Sequence, residues 1–221
     1  MDLEEQREAL LQAALPHVVF DGWSEVTLRA ACRDLGMGVE AAMSAFPGGP
    51  QDLVEAFSTW ADREMLVRLA DLPLEEMRVR ERVSAGVRLR LEVLAPHREA
   101  VRRSLSFLAL PQNATLGPRL LWRSADCLWY AAGDRATDYN HYSKRILLSG
   151  VLSTTTLYWL EDRSEDFADT HAFLERRIDE VLKVGGRFGK TMGRMLDLPD
   201  RLMQRRSRSP LRRRMRGLGV R

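Results

Sequence analysis

Cysteine is nearly absent from this 221-residue chain: Cys32 and Cys127 stand alone, with no C-x-x-C pair. That excludes a disulfide framework and a cysteine metal knuckle, and both thiols read as core residues. No apolar run approaches the ~18 residues that would suggest a membrane span. The opening Met1-Asp2-Leu3-Glu4-Glu5 lacks the basic region of a signal peptide and the acid-poor character of a transit peptide. The expectation is a cytosolic chain, or one whose presequence is absent. The four histidines, His17, His97, His141 and His171, are scattered, without an H-E-x-x-H or a paired E-x-x-H. Neither zinc nor a di-iron centre follows from that pattern. No G-x-S-x-G nucleophile motif occurs. Gly189-Lys190-Thr191 resembles the end of a P-loop, but Val184 stands where the motif needs glycine and no strand precedes it. The expectation is a non-enzymatic protein without catalytic residues, metal or cofactor.

Basic residues are missing from one region and crowded into another. From Asp34 to Asp62 there is no Lys or Arg, while Asp34, Glu40, Asp52, Glu55 and Asp62 are all acids. From Arg187 to Arg221 twelve Arg or Lys face only Asp197 and Asp200, a local charge of +10 in a chain that sums to +3. The body before Arg187 is therefore acidic, and the tail is suited to an anionic partner, nucleic acid or lipid. Two features favour lipid. Phe188, Met192, Met195, Leu196, Leu202 and Met203 line one side of a helix, while Lys190, Arg194, Arg201 and Arg205 lie mostly off it. That is the plan of a helix lying in a bilayer interface. The run of Arg205, Arg206, Arg208, Arg212, Arg213, Arg214 and Arg216 adds attraction of about 1 kcal/mol per basic residue near an anionic leaflet. It holds no aromatic to stack on bases, which disfavours nucleic acid. Pro199 would kink or divide the helix. The plainer alternative is a core-packed terminal helix with a solvated basic end.

Helical periodicity runs through almost the whole chain. Leu3, Leu10, Leu11, Ala14, Leu15 and Val18 form one stripe, and Leu28, Ala31, Cys32 and Leu35 another, with Thr27 as N-cap and Gly36 as stop. Leu53, Val54, Phe57, Trp60 and Ala61 follow the breaker Pro47-Gly48-Gly49-Pro50. Pro73, Pro96, Pro111 with Asn113, Gly133 with Asp134, and Ser164 divide the rest into five helical stretches. Val87 to Val93 alternates like a strand, but Val83, Val87, Leu91 and Leu94 also fit the helical period and no turn brackets the segment.

The order helix, Phe20-Asp21-Gly22-Trp23 link, helix from Thr27 to Leu35, Gly36-Met37-Gly38 turn and short helix to Phe46 resembles the DNA-binding domain of TetR regulators. In that family the recognition helix enters the major groove. A recognition segment of net −5 would be repelled by a duplex, and Met43 and Gly49 or Pro50 stand where the family offers Tyr and Lys. The expectation is a TetR-like shape without DNA binding. Asp126 to Arg145, Ser153-Thr154-Thr155-Thr156-Leu157, and Asp166 to Arg177, together with Pro16-His17 and Phe46 to Glu55, resemble the accessory lipid-binding proteins of ubiquinone biosynthesis, the ninth of the numbered coenzyme Q proteins.

That resemblance implies an all-α, TetR-like bundle of about nine helices plus a C-terminal amphipathic helix, divided as 1–65 (degenerate helix-turn-helix), 66–186 (lipid-binding and dimerisation body) and 187–221 (membrane-binding tail). It implies a homodimer that holds an isoprenoid lipid, docks on an anionic membrane surface, and assists the di-iron demethoxyubiquinone hydroxylase. The expected place is the cytoplasm, peripheral on the inner face of the cell membrane, or the matrix side in a mitochondrion. Each CH₂ of a polyprenyl tail buried in lipid is worth ~0.8 kcal/mol, so its head group leaves the bilayer only if something covers the tail. Leu121 and Leu128, with Ile146, Leu147, Val151, Leu157 and Tyr158 from the helix at 139–161, are the candidate cavity wall; the plainer reading is core packing. Asp126, Trp129 and Tyr130, at i, i+3 and i+4, match the family's surface for the hydroxylase. Their plainer reading is a core tryptophan beside a solvated acid. The second functional reading is a ligand-responsive TetR-class transcription regulator; an enzyme acting on lipid would need a convergent polar site, which the sequence does not show.

Overall fold

The computed structural model describes residues 2–133 and 139–196, with side chains described from 2 to 133, from 142 to 181 and at Lys183. Among these residues every regular element is helical: α1 (Leu3–Asp21), α2 (Glu25–Asp34), α3 (Val39–Ala45), α4 (Pro50–Ala70), α5 (Val79–Leu94), α6 (Arg98–Leu108), α7 (Leu116–Ala131), α8 (Tyr139–Glu161) and α9 (Ala168–Leu196). Short 3-10 turns at Ala95–His97, Pro111–Asn113 and Glu165–Phe167 link the later helices. The breakers therefore divide the chain where proline and glycine geometry demands, and the alternating segment at 87–93 is helix, with Val83, Val87, Leu91 and Leu94 all buried. The chain separates into two compact units, Met1–Val181 and Leu182–Arg221.

α1 starts from a reciprocal cap: the Asp2 carboxylate accepts from the Glu5 amide at 2.8 Å, and the Glu5 carboxylate from the Asp2 amide at 3.0 Å. Its buried stripe is Leu10, Leu11, Ala14, Leu15 and Val18, while Leu3 is exposed because it lies on the first turn, ahead of the packed face. Gly22, at φ 65° and ψ −167°, turns the chain into α2, in a region that side chains beyond hydrogen avoid. The cap of α2 is Ser24, not Thr27. The Ser24 hydroxyl accepts from the Thr27 amide at 3.3 Å, and Thr27 turns its own hydroxyl inward to the Gly22 carbonyl at 2.6 Å. Thr27 is thus a buried lock on the turn, one helical turn later than a cap.

Phe46 closes α3 into the core beneath the Arg7 guanidinium, which also donates to the Ala45 carbonyl at 2.6 Å. α4 runs unbroken through residue 65, because Leu53, Val54, Phe57, Ala61, Met65 and Leu69 pack against α1 on one side and α5 and α7 on the other. At the α5–α7 crossing Gly86 permits close approach: a Cβ there would collide with the Leu128 side chain. At the same seam a polar junction is buried. The Asp62 carboxylate accepts from Arg90 Nε at 2.7 Å and the Ser124 hydroxyl at 2.8 Å.

The turn from α8 to α9 is also polar inside. Asp162 accepts from the amide and hydroxyl of Ser164 (2.8 and 2.6 Å) and of Thr170 (2.8 and 2.5 Å). Burial alone would raise its pKa, but these donors outweigh that and hold it far below the ordinary carboxylate value. Next to it Asp166 and Phe167 sit at φ 51° and 56°. Arg98 sits over the rings of Trp159 and Phe167, each at 5.3 Å, and donates to the Trp159 and Asp162 carbonyls, so the strained turn is held from outside.

Candidate functional site

The site expected around α7 is built by two helices. Asp126, Trp129 and Tyr130 share one face of α7, where Tyr130 is the most open, at 76% exposure, and the Asp126 side chain is half open to water. Trp129 packs partly on the core. Its indole N–H donates to the Lys144 carbonyl at 2.9 Å, and the Lys144 ammonium lies 5.6 Å from its ring centroid. Asp126 is ion-paired with Arg145 of α8. One turn earlier on α7, the Trp122 ring meets Tyr142 of α8 at 6.1 Å. Asp126 is therefore neither a purely solvated acid nor an isolated docking charge.

Arg145 is the functional candidate that sequence reasoning missed. Its side chain is 4% exposed against 49% for Asp126. A signal existed: Arg145 lies three and seven residues before Leu148 and Leu152, on the buried stripe of α8. A charge on an apolar stripe needs a partner nearby.

The expected cavity wall divides. Leu128 and Val151 are in the core, and Leu121 and Leu147 are half-buried. Ile146, Leu157 and Tyr158 point out of the chain, at 62%, 55% and 39% exposure, so their inward placement is corrected. The physical reason is that α8 is apolar on two faces. Leu148, Val151, Leu152 and Trp159 take the inner one, leaving Tyr142, Ile146 and Leu157 outside with Tyr158, which stacks on Phe173 of α9 at 4.5 Å. Among the clefts, one of about 300 Å³ is lined by Leu15, Pro16, Val19, Pro96 and His97 among others, and one of about 340 Å³ by Arg98, Arg102 and Leu160 among others. Burial lowers the His97 pKa and raises that of the Cys127 thiol.

The acidic reading of the helix-turn-helix also changes. Asp34 pairs with His17 at 2.6 Å, Asp52 accepts from the Gly48 amide, Glu55 pairs with Arg119 and Arg123, and Asp62 pairs with Arg90. Four of the five acids are thus engaged within the fold, Glu55 and Asp62 by arginines from later helices, Asp34 by a histidine of α1 and Asp52 by a backbone amide. What survives is the lack of Lys or Arg on the recognition segment, whose exposed face carries Val39, Glu40 and Met43.

For the tail, the backbone is helical through Leu196. The side chains of Phe188, Met192, Arg194, Met195 and Leu196, and the whole of Arg201, Leu202, Met203, Arg205 and Arg206, lie outside the described residues. No helix among the described residues is long and apolar enough to cross a membrane, and none of their His, Cys, Asp or Glu gather in groups of three or more able to hold a metal ion.

Residues 114–185, which contain all of α7 and α8, match the COQ9 family. The chain is 33% identical over 191 residues to the rat protein named ubiquinone biosynthesis protein COQ9, mitochondrial, and 32% identical to the human one. This chain is a COQ9 relative. The alignments take in 82% of it, but only 60% of the rat protein and 59% of the human one, so the chain spans about three fifths of these relatives. A COQ9 protein from Drosophila melanogaster matches at 28% identity over 85% of the chain and 58% of its own length. In fold, a TetR transcriptional regulator from Nitrosomonas europaea superposes with a TM-score of 0.66 at 20% identity, over 80% of this chain and 97% of that one. A TetR-family regulator from Streptomyces coelicolor gives 0.56 at 18%, over 94% and 100%. The COQ9 relative thus has a TetR-like, all-α fold.

Proposed function

We propose that this protein is a non-catalytic accessory factor of ubiquinone biosynthesis. It binds isoprenoid quinone intermediates and presents them at an anionic membrane surface to the di-iron demethoxyubiquinone hydroxylase. The observation that carries this reading is the 33% identity, across 82% of the chain, to a protein named for ubiquinone biosynthesis. The α7–α8 edge, with Tyr130 outward on a tethered Trp129, supplies the surface for the hydroxylase. The outer apolar face of α8, with Tyr142, Ile146 and Leu157, is covered by a second copy of the chain in a homodimer. The lipid lies against Leu121 and Leu147, the half-buried members of the expected wall. The basic tail from Phe188 to Arg206 lies on the membrane.

The test is mass spectrometry of the organic extract of the purified protein, beside a form ending at Gly186 and a TetR-like control prepared in parallel. Enrichment of a polyprenylated quinone or precursor in both forms supports a lipid site in the helical body. Lipid that disappears with the tail marks carry-over from membrane, and lipid in neither form defeats the reading. The regulator alternative shares the fold, but its recognition segment offers a duplex no basic residue.

A further inference from the structure

We infer that Asp126 serves the docking surface from within, as half of a clamp with Arg145 that sets Trp129 and Tyr130 in place, and that Arg145 is a positioning residue for partner binding. The inference rests on the proposed use of this edge and says which of its residues touch the partner. The ties between α7 and α8 here include the Asp126–Arg145 ion pair, the indole N–H of Trp129 on the Lys144 carbonyl, and Trp122 against Tyr142. Arg145 and Lys144 are adjacent, so the backbone that receives the Trp129 indole belongs to the residue beside the one that holds Asp126. A guanidinium at 4% side-chain exposure is enclosed by the bundle and has little room to swing out and follow a partner. Its position therefore fixes Asp126, and with it the register of α7 against α8. Tyr130, one residue beyond Trp129 and exposed, is what that register aims outward.

The alternative is that Asp126, half open to water, also meets the partner directly. A double-mutant cycle separates the two. Asp126→Asn and Arg145→Met each break the clamp, whereas the double variant removes both charges and leaves a neutral pair of similar volume, a replacement that buried ion pairs commonly tolerate. Binding of the di-iron hydroxylase to the full chain is measured by titration, and the Trp129 indole N–H is followed by NMR, assigned through Trp129→Phe. Each single variant is expected to weaken binding by about tenfold and to shift the indole signal, and the double variant to return to within about twofold of wild type with the signal restored. A double variant as weak as Asp126→Asn, with a native indole signal, overturns the inference, since Asp126 would then contact the partner. Arg145→Lys covers the case in which Arg145→Met does not fold. It keeps the charge and loses the fork, so intermediate binding with a smaller indole shift is expected, and binding and signal unchanged from wild type would overturn the clamp. Should wild type fail to bind the hydroxylase, the proposed docking role falls. The clamp is then judged by the indole signal alone, which must move in the single variants and return in the double.

Discussion

Asp62 and Asp126 are both held by arginine, at different depths of one helical bundle. Asp62, with Arg90 and Ser124, closes a junction of α4, α5 and α7 in which the side chains are 4% and 14% exposed for Asp62 and Arg90. Asp126, with Arg145, joins α7 to α8 with the arginine inside and the carboxylate half in water. In the first, every partner is another part of the fold, so its only work is to hold three helices together. In the second, the buried end is fixed and the outer end borders an exposed tyrosine, so the same chemistry can hold a surface in register. On the proposed reading, depth and not the kind of contact separates scaffold from site.

The sharpest way to break that comparison is to remove the arginine of the inner junction. Arg90→Ala leaves the Asp62 carboxylate buried with Ser124 as its remaining donor, and the expected loss is about 3–5 kcal/mol, read from urea denaturation. Asp62→Leu combined with Arg90→Met should recover most of it, because two charges are then spared desolvation. A loss under ~1 kcal/mol for Arg90→Ala would place the junction among surface pairs, and the contrast with Asp126 would vanish.

Asp162 offers an intermediate case, a buried carboxylate satisfied by hydroxyls and amides with no arginine among the four donors. Asp162→Ala is expected to cost about 2–3 kcal/mol, since it leaves the Thr170 amide and hydroxyl without their acceptor. The pH dependence has a definite sign. Its folded pKa lies below the ordinary 3.8, so its contribution is complete above that value and fades as the pH falls toward the lower folded value. Wild type should lose stability over that acid range more steeply than Asp162→Ala. Parallel curves would remove Asp162 from the account of acid sensitivity.

Gly86→Ala probes the seam that the inner junction spans without touching a charge. The added methyl meets Leu128, and the expected cost is about 1–3 kcal/mol by thermal or urea unfolding. Leu128→Ala in the same chain should relieve part of it, and strictly additive losses would show that the contact is not shared.

Much of this fold could be read from periodicity because its helices are separated by residues with hard backbone constraints. Pro96, Pro111 and Gly133 each fall between helices, and Val83, Val87, Leu91 and Leu94 marked the buried face of α5. Capping was less legible: Ser24 and Thr27 are both good caps, and only the turn at Gly22 decides between them. The site was harder for two physical reasons. α8 is apolar on opposite faces, so Ile146 and Leu157 look like Leu148 and Leu152 until the neighbouring helices are in place. Net charge counted along the chain also ignores partners distant in sequence. Glu55 is offset by Arg119 and Arg123, and Asp62 by Arg90, none of which lies in the stretch where the acids accumulate. Arg145 was overlooked for the same reason, since its partner is nineteen residues away.

The smallest stability change is expected at the outer pair, and its smallness matters. Asp126→Asn retains an acceptor oxygen, and water already reaches half of the carboxylate, so the expected loss is roughly 1 kcal/mol. Added salt should shrink that difference between wild type and variant, while leaving the Arg90→Ala deficit nearly unchanged, because screening acts on exposed charges more than on enclosed ones. The clamp inference asks the same substitution to weaken partner binding by about tenfold, roughly 1.4 kcal/mol, so its effect on binding should match or exceed its effect on folding. If urea denaturation instead gives Asp126→Asn a loss of about 3 kcal/mol or more that salt does not alter, the outer pair is a second core junction. Exposure of one partner would then carry no functional meaning, and the distinction between depth as scaffold and depth as site would have to be abandoned.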